Sequence, residues 1–424
     1  IFYGAVLITN SNATFKDCTF KDEFNYDGVR NNLEFNSSKF LKESTALISN
    51  CVELLLDNCT VPNPFLITKA QTSTVKNSNL LKIEYDEKKE KIGSIAIQNS
   101  EIEELHLKSM FNAKIDNSKI KDLLIYDGIS ALSIFNSEIN ELYSEAEFDF
   151  VTIHSCEVKI FNIGYIQIKR VDISDSIFDL LTLSHITYKL PLEITNTEVR
   201  KEFNISGSSL ESARLLSLSL TSCKFVVDNT VFLNCSCLNI KWPAGFKIYE
   251  NEDTVGELNR VDRINMYESL RESYRQLKFI MKQQADNVSA LGFFRNEMNI
   301  YWEIVKLKRA EGFIEDYIIV GTNKLFSDFG RSLIRPAIWL VSVHIVLINF
   351  LFYYHPEINI SASLNPDWKA TFLGFRYFFY LINPIHSPDV GGINLMGFID
   401  FLMRFSSGLF IYYIIRASRK YGGV

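Results

Sequence analysis

Glycine and proline are scarce in this chain, 19 and 9 among 424 residues. Tight hairpins depend on them, so strand-like stretches here are not expected to fold back as a meander. Cysteine is also rare. All seven, Cys18, Cys51, Cys59, Cys156, Cys223, Cys235 and Cys237, lie in the first 240 residues. An odd set inside β-like patterns does not suit a secreted disulfide framework, so buried reduced thiols are expected. Cys235 and Cys237 are too close for an ordinary disulfide or a zinc clip, and no His flanks them. There is no Gly-rich phosphate loop, nucleophile elbow or zinc spacing. The carboxylates are scattered, and His106 and His154 stand apart from each other in the sequence pattern. The expectation is a non-catalytic chain that needs no cofactor and no metal. No secretory signal opens the sequence, and Ile1 in place of Met points to a start further upstream.

The charge is unevenly divided. Residues 1–240 carry 23 Lys+Arg against 32 Asp+Glu, a net of −9, and residues 241–424 carry 21 against 18, a net of +3. The second part also holds the long apolar runs, so the two parts are different objects.

A short phrase recurs through the first part: Asn, Asp or Ser, a small residue, any residue, then an apolar one. Its copies begin at Asp17, Ser37, Asn58, Asn77, Asn99, Asn117, Asn136, Ser155, Asp175, Asn196 and Ser222. The spacing stays between 18 and 22 residues until the last gap, which is 26. Between copies, β-branched and aromatic residues alternate with polar ones, as in Leu123-Leu124-Ile125-Tyr126. A constant period of short strands predicts a parallel β-helix with one repeat per coil. The Asn/Asp/Ser position then falls at the same corner of every coil, where its side chain serves turn backbone groups and ladders with its neighbours. Cys or Ser fits the narrow corner beside it. Over roughly residues 10–240 the repeat resembles the pentapeptide-repeat family and its right-handed β-helical relatives, which are mostly scaffolds.

After Trp242-Pro243-Ala244-Gly245 the period changes to that of a helix. Tyr267, Leu270, Tyr274, Leu277 and Met281 mark one apolar face, and Arg271, Arg275, Lys278 and Lys282 fall together on another. Such a basic stripe is either a solvated face paired with Glu268 and Glu272 or an anion site. As an anion site it would take a nucleotide or a short single-stranded DNA oligomer, with phosphates on Arg and Lys and bases on Tyr or Trp. A second helix follows from Asn287 or Ser289. The phrases Tyr274-Arg275-Gln276-Leu277-Lys278 and Phe293-Phe294-Arg295-Asn296-Glu297-Met298 resemble the helical connector that joins pentapeptide-type repeats to C-terminal membrane segments in bacterial proteins.

Residues 336–354 contain no charge, enough to cross a bilayer as a helix. Phe313 to Phe329 reads as an interfacial helix leading into it. A shorter apolar stretch, 366–382, contains Lys369 and Arg376, and a last one, 396–415, contains Asp400 and Arg404. With two crossings, Arg331/Arg335 and Arg416/Arg419/Lys420 share one side, which the positive-inside rule makes cytosolic. The middle stretch is then a re-entrant helix.

The sequence therefore divides into a β-helix (1–242), a helical connector (243–330) and a membrane unit (331–424). Helix, re-entrant helix, helix resembles the tetrameric P-loop cation channels. No Thr-Val-Gly-Tyr-Gly filter follows the middle helix, so potassium selectivity is not implied. Asn383, His386 and Asp389 are the candidates for a constriction. Asp400 and Arg404 are four apart on one helix face, either as an ion pair or as pore-lining charges. Gly408 is a candidate gating hinge or close-packing point. The domain order also resembles effector channels of bacterial nucleotide-signalling anti-phage systems, including the Hailong type. That resemblance implies an inner-membrane homo-oligomer, a tetramer, with cytoplasmic termini, embedded in lipid, passing ions and gated by a nucleotide or oligonucleotide. The other reading of the same features is a membrane-anchored scaffold that docks a protein partner.

Overall fold

The computed structural model describes residues 1–41, 44–86, 93–144, 146–165, 167–188, 190–227, 229–232, 234–249, 259–308, 312–354, 378–385 and 395–418. The chain divides into two compact units, Ile1–Phe293 and Phe294–Val424.

The first unit is dominated by a parallel β-solenoid of about eleven turns. Strands pair with the strand one coil away and always in parallel. Asn112–Asp116 sits between Ser94–Gln98 and Ile129–Phe135, and Lys119–Ile125 sits between Glu101–Lys108 and Glu138–Ser144. Because register is kept, like side chains stack inside. Ile83, Leu105, Leu123, Leu142, Phe161, Leu181, Phe203 and Phe225 form one continuous internal row, and every member is buried. Each such row removes apolar area from water along its whole length, at about 25 cal/mol per Å². Near the N-terminal end the rows become aromatic, with Phe20 stacked on Phe40 at 4.8 Å and Phe15 on Phe35 at 5.3 Å.

The repeated phrase has a stereochemical cause. Its first residue takes a left-handed backbone, with φ of 52° at Asn58, 46° at Asn117 and 51° at Asp175. Asn and Asp tolerate this better than other non-glycine residues. Their side chains then link coils: Asn117 Nδ2 donates to Asn99 Oδ1 at 2.6 Å, and Asn196 Nδ2 to Asp175 Oδ1 at 2.6 Å. The second residue points inward. Ser118 Oγ donates to the Asp116 carbonyl at 2.8 Å and accepts the Ser100 N–H at 3.2 Å. Ser78 and Ser100 do the same in their coils. Cys59 and Cys156 occupy this position too, their Sγ atoms turned to the carbonyls of Asp57 and His154. The corner needs a small residue with a polar tip, which is why Ser, Cys and Thr alternate there.

One copy of the phrase is misplaced by sequence. Ser222 does not continue the corner column. After Asn196 the left-handed corner positions are Ser217 and Asn239: the Asn196 N–H donates to Leu216 O and the Ser217 N–H to Leu238 O, both at 2.9 Å, and Asn239 Nδ2 donates to Ser217 Oγ at 3.1 Å. Leu218 replaces the small residue there, so composition hid a copy that backbone register keeps.

One helix and the first turns of a second close the open end of the solenoid. In α1 (Arg260–Gln283), Asn259 caps the first turn through a 3.0 Å bond from the Asp262 amide. Leu270, Tyr274, Leu277 and Met281 of the expected apolar face are buried, while Tyr267 is half-buried. The helix also serves the last coil's polar edge. Ser273 Oγ donates to Val227 O at 3.1 Å, Gln276 Oε1 accepts the Phe232 N–H at 2.8 Å, and Gln284 Nε2 donates to Cys235 O at 3.3 Å. An uncovered parallel edge would expose such groups. Helix α2 (Asn287–Lys308) begins in this unit, and its Phe293 meets Trp242 edge-on at 5.0 Å. Gly292 allows that approach, since a Cβ there would collide with the Phe246 ring.

The second unit contains the rest of α2, α3 (Ile314–Ser327), α4 (Ile334–Tyr354) and α5 (Leu395–Ser418). Within α5, Gly397–Ser418 is long and apolar enough to cross a membrane; in α4 the apolar stretch Ile334–Phe350 is shorter. Residues 378–382 are helical, whereas 366–377 of the expected re-entrant segment lie outside the described residues.

Candidate functional site

The second unit places polar and charged side chains between apolar helices. Leu340, Phe410 and Tyr413 form one buried cluster, and Ile348, Leu381, Ile399 and Met403 form another. Leu381 and Ile382 join these clusters, so the helical turn at 378–382 packs into the α4–α5 seam. Between the clusters lies a polar link. His344 of α4 and Ser407 of α5 are both fully buried. His344 Nδ1 is 2.8 Å from the Leu340 carbonyl, and Nε2 is 2.8 Å from Ser407 Oγ. A carbonyl only accepts, so Nδ1 carries the proton and Nε2 accepts from the serine hydroxyl. This assigns a single tautomer and ties the two helices at one point. Sequence reading passed over both residues; the signal was a lone histidine within an uncharged apolar run.

One turn away, Arg404 Nη2 lies 2.9 Å from Asp400 Oδ2. Asp400 is 8% exposed, so the expected i,i+4 pair forms with its acid side buried. Gly408 lies on the exposed side of an unbroken helix, and a Cβ there would meet nothing within 4 Å. It is therefore not a close-packing point among the described residues. Asn383 is exposed, and its Oδ1 accepts the Ile385 N–H at 3.0 Å, closing a local turn. His386 and Asp389 lie outside the described residues.

The ends of α4 and α5 meet at α3. Asp328, in a left-handed conformation after α3, receives Arg295 Nη2 at 3.0 Å and Arg335 Nη1 at 4.0 Å. Arg416, near the end of α5, reaches Asn323 Oδ1 at 3.5 Å. The start of α4 and the finish of α5 are therefore at the same end of the helix pair. Beside them, Trp302 stacks on Tyr317 at 4.8 Å, with Lys306 and Lys324 near its ring. Burial lowers the Lys324 pKa, and the neighbouring Lys306 and Arg295 charges add to that against Glu303 and Asp328.

The basic stripe on α1 is less uniform than its spacing. Arg275 donates to Glu272 at 2.9 Å, Arg271 and Lys278 are half-buried, and Lys282 is exposed. Of the four, Arg275 lines a cleft of about 380 Å³ with Phe232, Gln276 and Phe279. Elsewhere in the first unit, polar grooves of about 480 and 410 Å³ follow the corner column. Of their lining side chains, Asn99, Asn117, Asn196, Ser78 and Ser100 are engaged in the corner bonds described above. Cys235 and Cys237 face each other at 3.6 Å as buried thiols. Among the described residues, no group of His, Cys, Asp and Glu is arranged to hold a metal.

No protein-family model, curated protein or solved structure matches this chain.

Proposed function

We propose that this chain is one subunit of a homo-oligomeric ion channel in a bacterial inner membrane, its solenoid on the cytosolic side. In this reading α4 and α5 both cross the bilayer, and the chain between them enters and returns on the far side. The supporting observation is the convergence of Arg335 and Arg416 on α3. It puts both basic flanks at one end of the helix pair, as an even number of crossings with a cytosolic basic side requires. Buried Asp400, its partner Arg404, and the His344–Ser407 link supply polar groups that a simple lipid anchor does not need. A two-crossing chain cannot enclose a pore alone, so the function requires several copies; the tetramer follows the channel resemblance.

The solenoid unit is joined to the membrane unit through α2 and acts as the sensor. Its proposed ligand is a nucleotide or single-stranded DNA oligomer, with Arg275 and Phe279 beside the α1 cleft as the first contacts. Binding would bias an open–closed equilibrium only through different affinity for the two states.

Purified full-length protein in liposomes tests the reading. Ion flux is expected, and it should change with cytosolic-side oligonucleotide. No flux from an oligomeric preparation, with or without ligand, refutes the channel. Mass spectrometry of co-purified material tests the ligand: absence of nucleic acid, together with unchanged binding in Arg271→Ala and Arg275→Ala, refutes it.

A further inference from the structure

Lys324 of α3 carries a charge that its surroundings do not balance. Two acids act on it, Glu303 and Asp328. Glu303 is already held by Lys306 at 2.8 Å, and Asp328 by Arg295 at 3.0 Å. The Lys324 ammonium itself makes no hydrogen bond or salt bridge among the described residues; it faces the Trp302 ring, 5.8 Å away. Lys306 approaches the same ring at 5.3 Å. Glu315 and Asp316, in the first turn of α3, lie about 12 Å or more along the helix axis from Lys324, beyond a Debye length.

Tyr317, Gly321 and Lys324 form one row along the side of α3 that meets Trp302. Roughly 70° further round the helix, Ile314, Ile318 and Leu325 form a second row, each residue more than half exposed. An accessible cationic and aromatic cluster thus adjoins an accessible apolar stripe. Phe326 of the same helix packs on Trp339 of α4 at 5.4 Å and on Phe410 of α5 at 5.2 Å. This puts α3 level with the early turns of α4 and the late turns of α5. When those helices cross a bilayer, that level is the boundary between headgroups and acyl chains, where Trp and basic side chains concentrate.

We propose that Lys324, with Lys306 and Trp302, holds the headgroup phosphate of an anionic phospholipid whose acyl chain runs along Ile314, Ile318 and Leu325. Charge complementarity selects the phosphate, since an anion here offsets the repulsion among Lys324, Lys306 and Arg295. The Lys306–Glu303 pair is exposed on both sides, and such a pair gives up little on turning to a new anion. The isoleucine stripe selects a lipid over free phosphate or an oligonucleotide, neither of which covers apolar surface. The site rests on α4 and α5 lying in a bilayer and not on ion conduction.

Delipidated full-length protein in detergent, titrated with phosphatidylglycerol or phosphatidylcholine and read by native mass spectrometry, tests this. A basic residue at an anionic headgroup is worth about five-fold in binding. Wild type should therefore prefer phosphatidylglycerol, Lys324→Gln should lower that preference about five-fold, and Lys324→Arg should keep most of it. Equal binding of the two lipids by wild type, or an unchanged preference in Lys324→Gln, overturns the proposal. So does displacement of phosphatidylglycerol by equimolar inorganic phosphate or single-stranded oligonucleotide. Should Lys324→Gln not fold, a photoactivatable phosphatidylglycerol on wild type decides: labelling of α3 supports the site, and labelling confined to other helices overturns it. Release of the protein from membranes by carbonate washing would overturn the bilayer reading and the site together. Liposome flux without lipid preference overturns the site alone, whereas lipid preference without flux upholds the site and refutes the channel.

Discussion

The His344–Ser407 link permits a quantitative test of the α4–α5 seam. Both residues are fully buried, and the bond is 2.8 Å long. Interhelical polar pairs in membranes couple by about 0.6 kcal/mol on average and about 1.7 at most. Complete burial between two apolar clusters places this pair in the upper part of that range, roughly 1–1.7 kcal/mol. The single variants should be unequal. In His344→Leu the Ser407 hydroxyl can rotate to a carbonyl four residues back on its own helix. In Ser407→Ala, Nε2 points across the seam with no rotor to do the same, so this variant should cost about 1–3 kcal/mol. The double variant should recover part of the loss. The assay is equilibrium unfolding in detergent, followed by tryptophan fluorescence, for wild type, both singles and the double. Coupling below about 0.3 kcal/mol, the usual limit of additivity, would refute the link as an energetic tie.

Other outcomes concern the solenoid. Ser118→Ala should destabilise it by about 1–3 kcal/mol, because the Ser100 amide and Asp116 carbonyl lose their shared partner. Ser118→Cys, the residue used at equivalent corners, should cost less than half as much by denaturant titration. Among the seven cysteines, Cys18 is the least buried, and iodoacetamide at pH 8 should modify it first in the folded protein. Burial pushes the Cys51 thiol up to about 11 and Cys223 up to about 12, leaving on the order of one thiolate in a thousand or fewer at that pH. Peptide mapping showing equal labelling of Cys51 or Cys223 would contradict this. These raised values also make folding stability fall as pH rises above about 9, where unfolded thiols ionise first. The His106 pKa is lowered, chiefly by burial and then by Lys82. The unfolded chain then binds the proton more readily, so stability should fall as pH drops through about 6.5. His106→Gln should flatten that part of a denaturation-midpoint series between pH 7.5 and 5.5; an unchanged slope would refute the assignment.

The solenoid was legible because its signal is repeated. One corner geometry recurs with every coil, and Asn at a left-handed position followed by Ser or Cys leaves the same mark each time. The reading slipped at Ser222, since Ser217 and Asn239 hold the register with neighbours that lack the usual small residue. The apolar face of α1 was also legible from 3.6-residue spacing, but its task was not. Ser273, Gln276 and Gln284 look like ordinary surface polar residues until the last coil's edge is placed against them. The i,i+4 contact of Asp400 with Arg404 followed from helix geometry alone. The meeting of His344 with Ser407 did not, because 63 residues separate them.

Sequence alone determined the parallel solenoid, the apolar character of the last helices and the pairing of Asp400 with Arg404. Each depends on a local period, so nearby residues carry the whole signal. Tertiary structure alone decided that α1 closes the solenoid end, that His344 bonds Ser407, and that Arg335 and Arg416 share one end of the helix pair. Those contacts join distant segments, and only packing sets which faces meet. Arg404 belongs to both accounts: its spacing from Asp400 was local, while the enclosure of its Nε and Nη2 donors emerged only when the helices came together.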